Sequence, residues 1–146
     1  MHYLVLEDKK RDRGVCRKLP VTIMGAKVQH VQPYLIIPKM EQLLENYKNS
    51  KEYIIIKLTR FHIEFEQIHS FIDGNGRTVR LLVNLELMKS GCPPMDIKFT
   101  DRDKYYYAFD GYYLKNNIST MTDLFAKYLN QRLDYYLSIL DFWAYI

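Results

Sequence analysis

The sequence predicts a mainly α-helical domain with one short β-hairpin, and three observations lead there. From about residue 38 onward, apolar residues recur at steps of three and four, the period of an amphipathic helix. Turn chemistry interrupts these runs at Asp73-Gly74-Asn75-Gly76 and at Gly91, with Pro93-Pro94 beyond it. Only the stretch around Gly25-Ala26 shows the loose alternation of paired strands. With 146 residues, the chain fits a single domain over 1–146 with a sizeable core.

In chain order, Val21-Thr22-Ile23-Met24 and Lys27 to Val31 are the two arms of the expected hairpin. Pro33 and Pro38 bracket an extended apolar piece, and Pro38 suits the first turn of a helix because its missing N–H is not needed there. Met40, Leu43, Leu44 and Tyr47 then mark a short amphipathic helix. From Glu52 to about His69, the positions Ile54, Leu58, Phe61, Phe65 and Ile68 form one continuous stripe, widened by Ile55 and Ile56. That helix is expected to be central. After the turn, the period resumes from Arg77 through Leu81, Leu82, Leu85 and Met88. Thr100 to Asp103 offers an N-cap ahead of the run Tyr105 to Phe109. A last helix begins at Ser119 or Thr120 and carries Leu124, Phe125, Tyr128, Leu129, Leu133, Tyr136, Leu137 and Leu140.

Composition narrows the function classes. A formal charge of +4 is mild, and the densest basic run, Lys9 to Arg13, contains Asp12, so a nucleic-acid partner is not expected. No apolar run approaches the ~18 residues of a membrane span, and the first residues lack the pattern of a signal peptide. Cys16 and Cys92 lie far apart and belong to no Cys-x-x-Cys pair, which points to free thiols and a cytoplasmic location.

The chemistry concentrates in residues 69–80, His-Ser-Phe-Ile-Asp-Gly-Asn-Gly-Arg-Thr-Val-Arg. The first turn of a helix leaves N–H groups unpaired at its positive end, and glycines on either side of Asn75 let them form a concave anion nest. Arg77 and Arg80, at i and i+3, add two guanidinium forks suited to phosphate, and Asn84 extends the polar stripe. A carboxylate at Asp73 makes sense beside phosphate if Mg²⁺ lies between them. His69, ordinarily near pKa ~6.5, can accept a proton at neutral pH. Together these groups suit transfer from a nucleotide to a hydroxyl. Glu66-x-x-His69 also has the spacing of a di-iron pair, but none of His2, His30 and His62 supplies the second pair such a site needs.

These residues resemble the signature of the Fic domain, His-x-Phe-x-(Asp/Glu)-Gly-Asn-(Gly/Lys)-Arg-x-x-Arg. Every fixed position is present as His69, Phe71, Asp73, Gly74, Asn75, Gly76, Arg77 and Arg80. A chance match is on the order of 10⁻¹⁰ per starting position at average residue usage. Ser70 departs from the family's usual proline, which is no chemical group of the reaction. The likeness extends over about 14–115, through Gly14-x-x-Arg17, Ile37-Pro38-x-Met40, Gly91-Cys92-Pro93-Pro94 and Arg102-x-x-Tyr105-Tyr106, with 119–146 as a C-terminal helix.

The resemblance implies a Fic-type helical bundle with a β-hairpin flap, and transfer of AMP from ATP to a Ser, Thr or Tyr hydroxyl of a target protein. By carry-over, His69 is the base, Asp73 holds Mg²⁺, Gly74, Asn75 and Gly76 form the anion hole, and Arg77 and Arg80 hold the β- and γ-phosphates. Val21, Thr22, Ile23 and Met24 would be the flap that aligns the target's backbone, and Tyr105 and Tyr106 would lie near the nucleoside. Gly74-Asn75-Gly76 favours AMP transfer over the family's phosphotransferase branch, which has Ala-Asn-Lys there. The family's inhibitory Ser/Thr-x-x-x-Glu helix is not found before Gly14 or after Trp143, so a separate inhibitory protein is one expectation. The rivals are a phosphotransferase and a catalytically silent domain that only binds nucleotide or protein.

Overall fold

The computed structural model describes residues 1–7, 9–22 and 30–144. Within them the fold is mainly helical, as expected, and no strand occurs among the described residues. Six helices follow in order: α1 (His2–Val5), α2 (Ile36–Asn49), α3 (Ile54–Ile68), α4 (Asn75–Lys89), α5 (Arg102–Lys115) and α6 (Ser119–Ala144). Single 3₁₀ turns at Pro33–Leu35 and Phe99–Asp101 lead into α2 and α5. Of the expected hairpin, Ile23, Met24 and the turn at Gly25-Ala26 lie outside the described residues; Val21 and Thr22 are irregular chain. No helix among the described residues is long and apolar enough to cross a membrane.

The chain divides into two compact units, Met1–Val83 and Asn84–Ile146, with the boundary inside α4. In the first unit α3 is the centre, as its broad apolar stripe foretold. Leu58, Phe61, Ile63, Phe65 and Ile68 are buried, and so are the polar Thr59 and His62. Thr59 is tolerated there because its hydroxyl donates to the Ile55 carbonyl at 2.7 Å, a bond made within the helix itself. α2 packs on α3 through Ile36 and Leu43, with the Tyr47 ring 5.2 Å from that of Phe61. Leu44, expected in the same stripe, is exposed.

α4 begins two residues earlier than the sequence suggests, at Asn75, so the glycine-flanked asparagine is the helix's own first turn. Its buried ridge is Val79, Val83 and Leu87, at steps of four, whereas Leu81 and Met88 are exposed. A stripe read from the larger leucine and methionine side chains therefore landed one position off. Each fully buried residue of this ridge contributes about 1.5–3 kcal/mol.

In the second unit α4 stops in a paired-bond cap. Gly91, at φ +77°, donates to the Met88 carbonyl at 3.1 Å, and Cys92 donates to that of Leu87 at 2.9 Å. Asn84 does not extend a ligand-binding stripe: its amide donates to the Met95 carbonyl and its oxygen accepts from the Met95 N–H, both at 2.9 Å. α5 packs on α6 around Ala108, Met121, Phe125 and Tyr128. Asp101, before α5, caps no N–H; its carboxylate accepts from Lys127 (2.6 Å), Tyr128 (2.7 Å) and Lys104 (3.0 Å). These bonds, that of Lys127 foremost, hold its pKa below the usual carboxylate range. Leu133, Tyr136, Leu137 and Leu140 of the predicted α6 stripe are exposed.

Candidate active site

The motif loop joins α3 to α4, and two groups from the start of the chain hold it. Buried His2 stacks flat on Phe71, with ring centroids 3.6 Å apart and an interplanar angle of 7°. Its Nδ1 accepts from the Gly14 N–H at 2.8 Å, so the ring proton sits on Nε2, which donates to the Asp73 carbonyl at 2.9 Å. Gly74 follows at φ +82°, and a Cβ there would stand 3.3 Å from His2 Nε2 and from Val5 Cγ1. Backbone conformation and close approach both demand glycine at this point.

Arg17 is the second clamp. It is 3% exposed, and its guanidinium donates to the carbonyls of His69 (2.6 Å), Ile68 (3.3 Å) and Leu19 (2.9 Å), and to that of Val31. Its own N–H donates to the Ser70 carbonyl at 2.9 Å. The last carbonyls of α3 would otherwise lack partners at the negative end of the helix, and a cation answers both needs. Burial lowers the Arg17 pKa, opposed by Cys16, yet an arginine stays charged.

His69 closes α3 in the left-handed conformation, φ 49°, with its N–H donating to the Phe65 carbonyl at 3.1 Å. This turn directs the chain into the motif loop. The sequence suggested an ordinary imidazole near ~6.5; in the fold the pKa falls to about 4, through burial first, then His30 and Arg17, with the Glu66 carbonyl acting the other way. The His30 ring lies 4.7 Å from that of His69, anchored by a 3.1 Å contact from Nδ1 to the Gln67 carbonyl. His69 is therefore neutral at pH 7 and free to accept a proton.

Asn75 is buried, and its side chain bonds both ways to Phe71, accepting from the N–H at 3.0 Å and donating to the carbonyl at 2.8 Å. Its amide thus fixes the loop, which leaves the backbone as its contribution to an anion site. The first intrahelical bond runs from the Thr78 N–H to the Gly74 carbonyl at 2.9 Å. The N–H groups of Asn75, Gly76 and Arg77 precede it and have no acceptor within the helix.

Asp73 is half-exposed and ionised. Oδ2 accepts from Lys9 at 2.7 Å; Oδ1 accepts from the Gly74 N–H at 2.6 Å and from Arg77 at 3.3 Å. The Lys9 bond is the chief cause of its lowered pKa. Arg77 also donates to the Val5 carbonyl at 3.2 Å, whereas Arg80 turns back toward α3, its Nη1 3.3 Å from where a Cβ on Gly76 would be. The two arginines thus share a helix but hold different neighbours. Among the described residues no group of three His, Cys, Asp or Glu side chains could hold a metal by itself. A single ionised carboxylate beside phosphate-binding N–H groups is nevertheless how Mg²⁺ is commonly held, with the substrate's oxygens completing the shell.

His69, Asp73, Gly74, Asn75, Gly76, Arg77 and Arg80 are brought together in the first unit. Tyr105 and Tyr106 belong to the second. Tyr105 is half-buried and edge-on to Phe109 at 4.9 Å, while Tyr106 is exposed with the Arg102 guanidinium 5.4 Å from its ring centroid. The sequence reading missed His2 altogether, because a lone histidine in a helix of only four residues carries no pattern. Arg17 was visible only as part of the Gly14-x-x-Arg17 likeness, and nothing in its spacing announces a helix cap.

Known proteins resemble this chain in sequence and in fold. The profile of the Fic/DOC family matches residues 1–87. A probable protein adenylyltransferase of Aquifex aeolicus is 37% identical over 94 residues, covering 63% of this chain and 28% of its own length. Among solved structures, residues 134–508 of Fic-1 from C. elegans superpose with a TM-score of 0.84 at 24% identity, over 96% of this chain and 42% of that one. BepC of Bartonella tribocorum, solved with bound AMPPNP, superposes with a TM-score of 0.63 at 17% identity, over 81% of this chain and 65% of that one. The chain thus spans under a third of the Aquifex relative, and the two structural likenesses speak for the fold.

Proposed function

The chain belongs to the Fic/DOC family, and we propose that it is a protein adenylyltransferase, moving AMP from ATP to a Ser, Thr or Tyr hydroxyl of a target protein. The observation that carries this reading is the neutral imidazole of His69 on the same loop as the first turn of α4, whose N–H groups have no acceptor within the helix. A base without charge and an anion site within one loop are what attack of a hydroxyl on a phosphate ester requires. The naming of the Aquifex relative and the AMPPNP bound to BepC support ATP as the donor.

His69 takes the proton of the incoming hydroxyl while its oxygen bonds to the α-phosphorus. The bond from that phosphorus to the bridging oxygen breaks, and pyrophosphate leaves. The N–H groups of Asn75 and Gly76 receive the charge on the phosphate oxygens, joined by that of Gly74 once Asp73 Oδ1 releases it. Arg77 and Arg80 hold the β- and γ-phosphates, which become the leaving group. Asp73 would hold Mg²⁺, which neutralises phosphate charge; for that, Lys9 and Arg77 release its oxygens, a small cost for exposed pairs. In this reading the segment from Val21 to Met24 meets the target protein. The free Cys16 and Cys92 thiols support a reducing, cytoplasmic setting.

Incubation with Mg²⁺, lysate and ATP labelled at either the α- or the γ-phosphate tests this reading. Protein label from the α-phosphate that disappears in His69→Ala is expected. Label from the γ-phosphate alone would instead make the chain a phosphotransferase, and nucleotide binding without transfer in any extract would make it a binding domain.

A further inference from the structure

A largely buried carboxylate lies beside the proposed base with no role yet assigned to it. Glu66 sits on α3, three residues before His69, and its side chain is 16% exposed. Among the described residues no hydrogen-bond donor reaches it. Facing it, His69 Nδ1 is also buried and also without a hydrogen-bond partner. The two are 3.9 Å apart, Oε2 to Nδ1. The other oxygen, Oε1, is turned toward Gly76 and would stand 3.0 Å from a Cβ placed there. Glycine at 76 is what gives the carboxylate its place.

An imidazole acts as a base through one nitrogen only when its proton is held on the other. His2 has that question settled by two hydrogen bonds; at His69 the Glu66 carbonyl also acts on the ring, but no hydrogen bond to Nδ1 is closed. We propose that Glu66 is the positioning residue for His69: its Oε2 accepts a hydrogen bond from Nδ1–H, which holds the ring proton there and leaves Nε2 bare to take the proton of the substrate hydroxyl. This rests on His69 being the base of the proposed transfer. Rotation about the side-chain bonds of Glu66 is the motion that closes the gap from 3.9 Å to hydrogen-bond distance. The carboxylate also stands ready to stabilise the imidazolium that forms when Nε2 is protonated. The other charged or titratable groups around the pair are Arg80, which favours the ionised form of Glu66, and Arg17 and His30, which act on His69.

The test is long-range ¹H–¹⁵N spectroscopy of histidine-labelled protein at pH 8, with His69 assigned by its absence in His69→Asn, beside transfer kinetics. In the wild type the His69 proton is expected on Nδ1. In Glu66→Met, similar in size and lacking an acceptor, the ring is expected to shift to a mixture of tautomers. kcat should fall at least roughly tenfold, with KM for ATP little changed. Glu66→Gln, whose amide oxygen can still accept, should restore the tautomer and part of the rate. A His69 proton found on Nε2 in the wild type overturns the inference without recourse to any variant, as do ring signals unchanged in Glu66→Met. A wild type with no transfer activity whose His69 tautomer still follows Glu66 would sink the adenylyltransferase reading and leave this pairing standing.

Discussion

Replacing Glu66 by glutamine is expected to stabilise the protein above neutral pH and to leave its stability little changed in acid. Burial pushes the Glu66 carboxyl up from an ordinary 4.5 to about 7, with Arg80 opposing. The folded protein therefore holds this proton more tightly than the unfolded chain does. The cost of ionising the group in place is absent below pH 4.5, grows between 4.5 and 7, and is complete above that. At about 1.4 kcal/mol per pH unit, the plateau is about 3 kcal/mol. Glutamine copies the neutral acid in shape and cannot ionise, so the variant avoids this cost. Urea denaturation of both proteins at half-unit steps from pH 4.5 to 8.5 reads the difference directly. The curves should meet near pH 4.5 and diverge to about 3 kcal/mol by pH 8. A difference equal at pH 5 and pH 8 would refute the argument, because it would mean that Glu66 titrates alike in both states. A residue that costs stability at working pH is also what a functional side chain tends to look like.

Other outcomes follow from the same groups. His62, fully buried on α3, has its pKa lowered to about 3 by burial and then by Arg80. It contributes stability above pH 6.5 that is lost as pH falls, by about 3 kcal/mol between pH 6.5 and 4.5, and His62→Met should flatten that part of the stability curve. Arg17→Leu removes the guanidinium that serves the carbonyls of Ile68, His69, Leu19 and Val31 and should cost about 3 kcal/mol or more, measured by thermal or urea unfolding. Gly74→Ala meets both an unfavourable φ of +82° and contacts at 3.3 Å, and should cost about 1–3 kcal/mol, where Gly14→Ala, with open space around it, bears the backbone cost alone.

Much of this was legible in the sequence, and for physical reasons. The α3 stripe is broad and its period unambiguous, so both the helix and its central place could be read. The motif of residues 69–80 is local, and its members come together simply because helix, turn and helix follow one another. What could not be read depends on contacts made across the chain. The pKa of His69 is set by burial and by His30 and Arg17, far away in sequence. The α4 ridge of Val79, Val83 and Leu87 was hidden behind larger leucines that the fold leaves exposed. Asn75 presents the same letters whether its amide meets a ligand or, as here, the backbone of Phe71. Glu66 was noticed for its spacing to His69 and set aside with the metal reading, since sequence alone gives no measure of how deeply a carboxylate is buried.

The clamp on the motif loop also changes what kind of object the first seventeen residues are. His2 reaches Asp73 across 71 positions, Lys9 reaches it across 64, and Arg17 reaches His69 across 52. In effect this arm is a ligand of the motif loop, bound in cis, and the intervening chain sets its local concentration. Short flexible tethers give effective concentrations in the millimolar range, and lengthening a loop lowers them only slowly. Weak individual contacts can therefore hold the loop firmly while both ends remain joined. A single break in the backbone between Arg17 and α3 would turn the same contacts into those of a free peptide, and His69 would lose its setting although every residue of the motif remained in place.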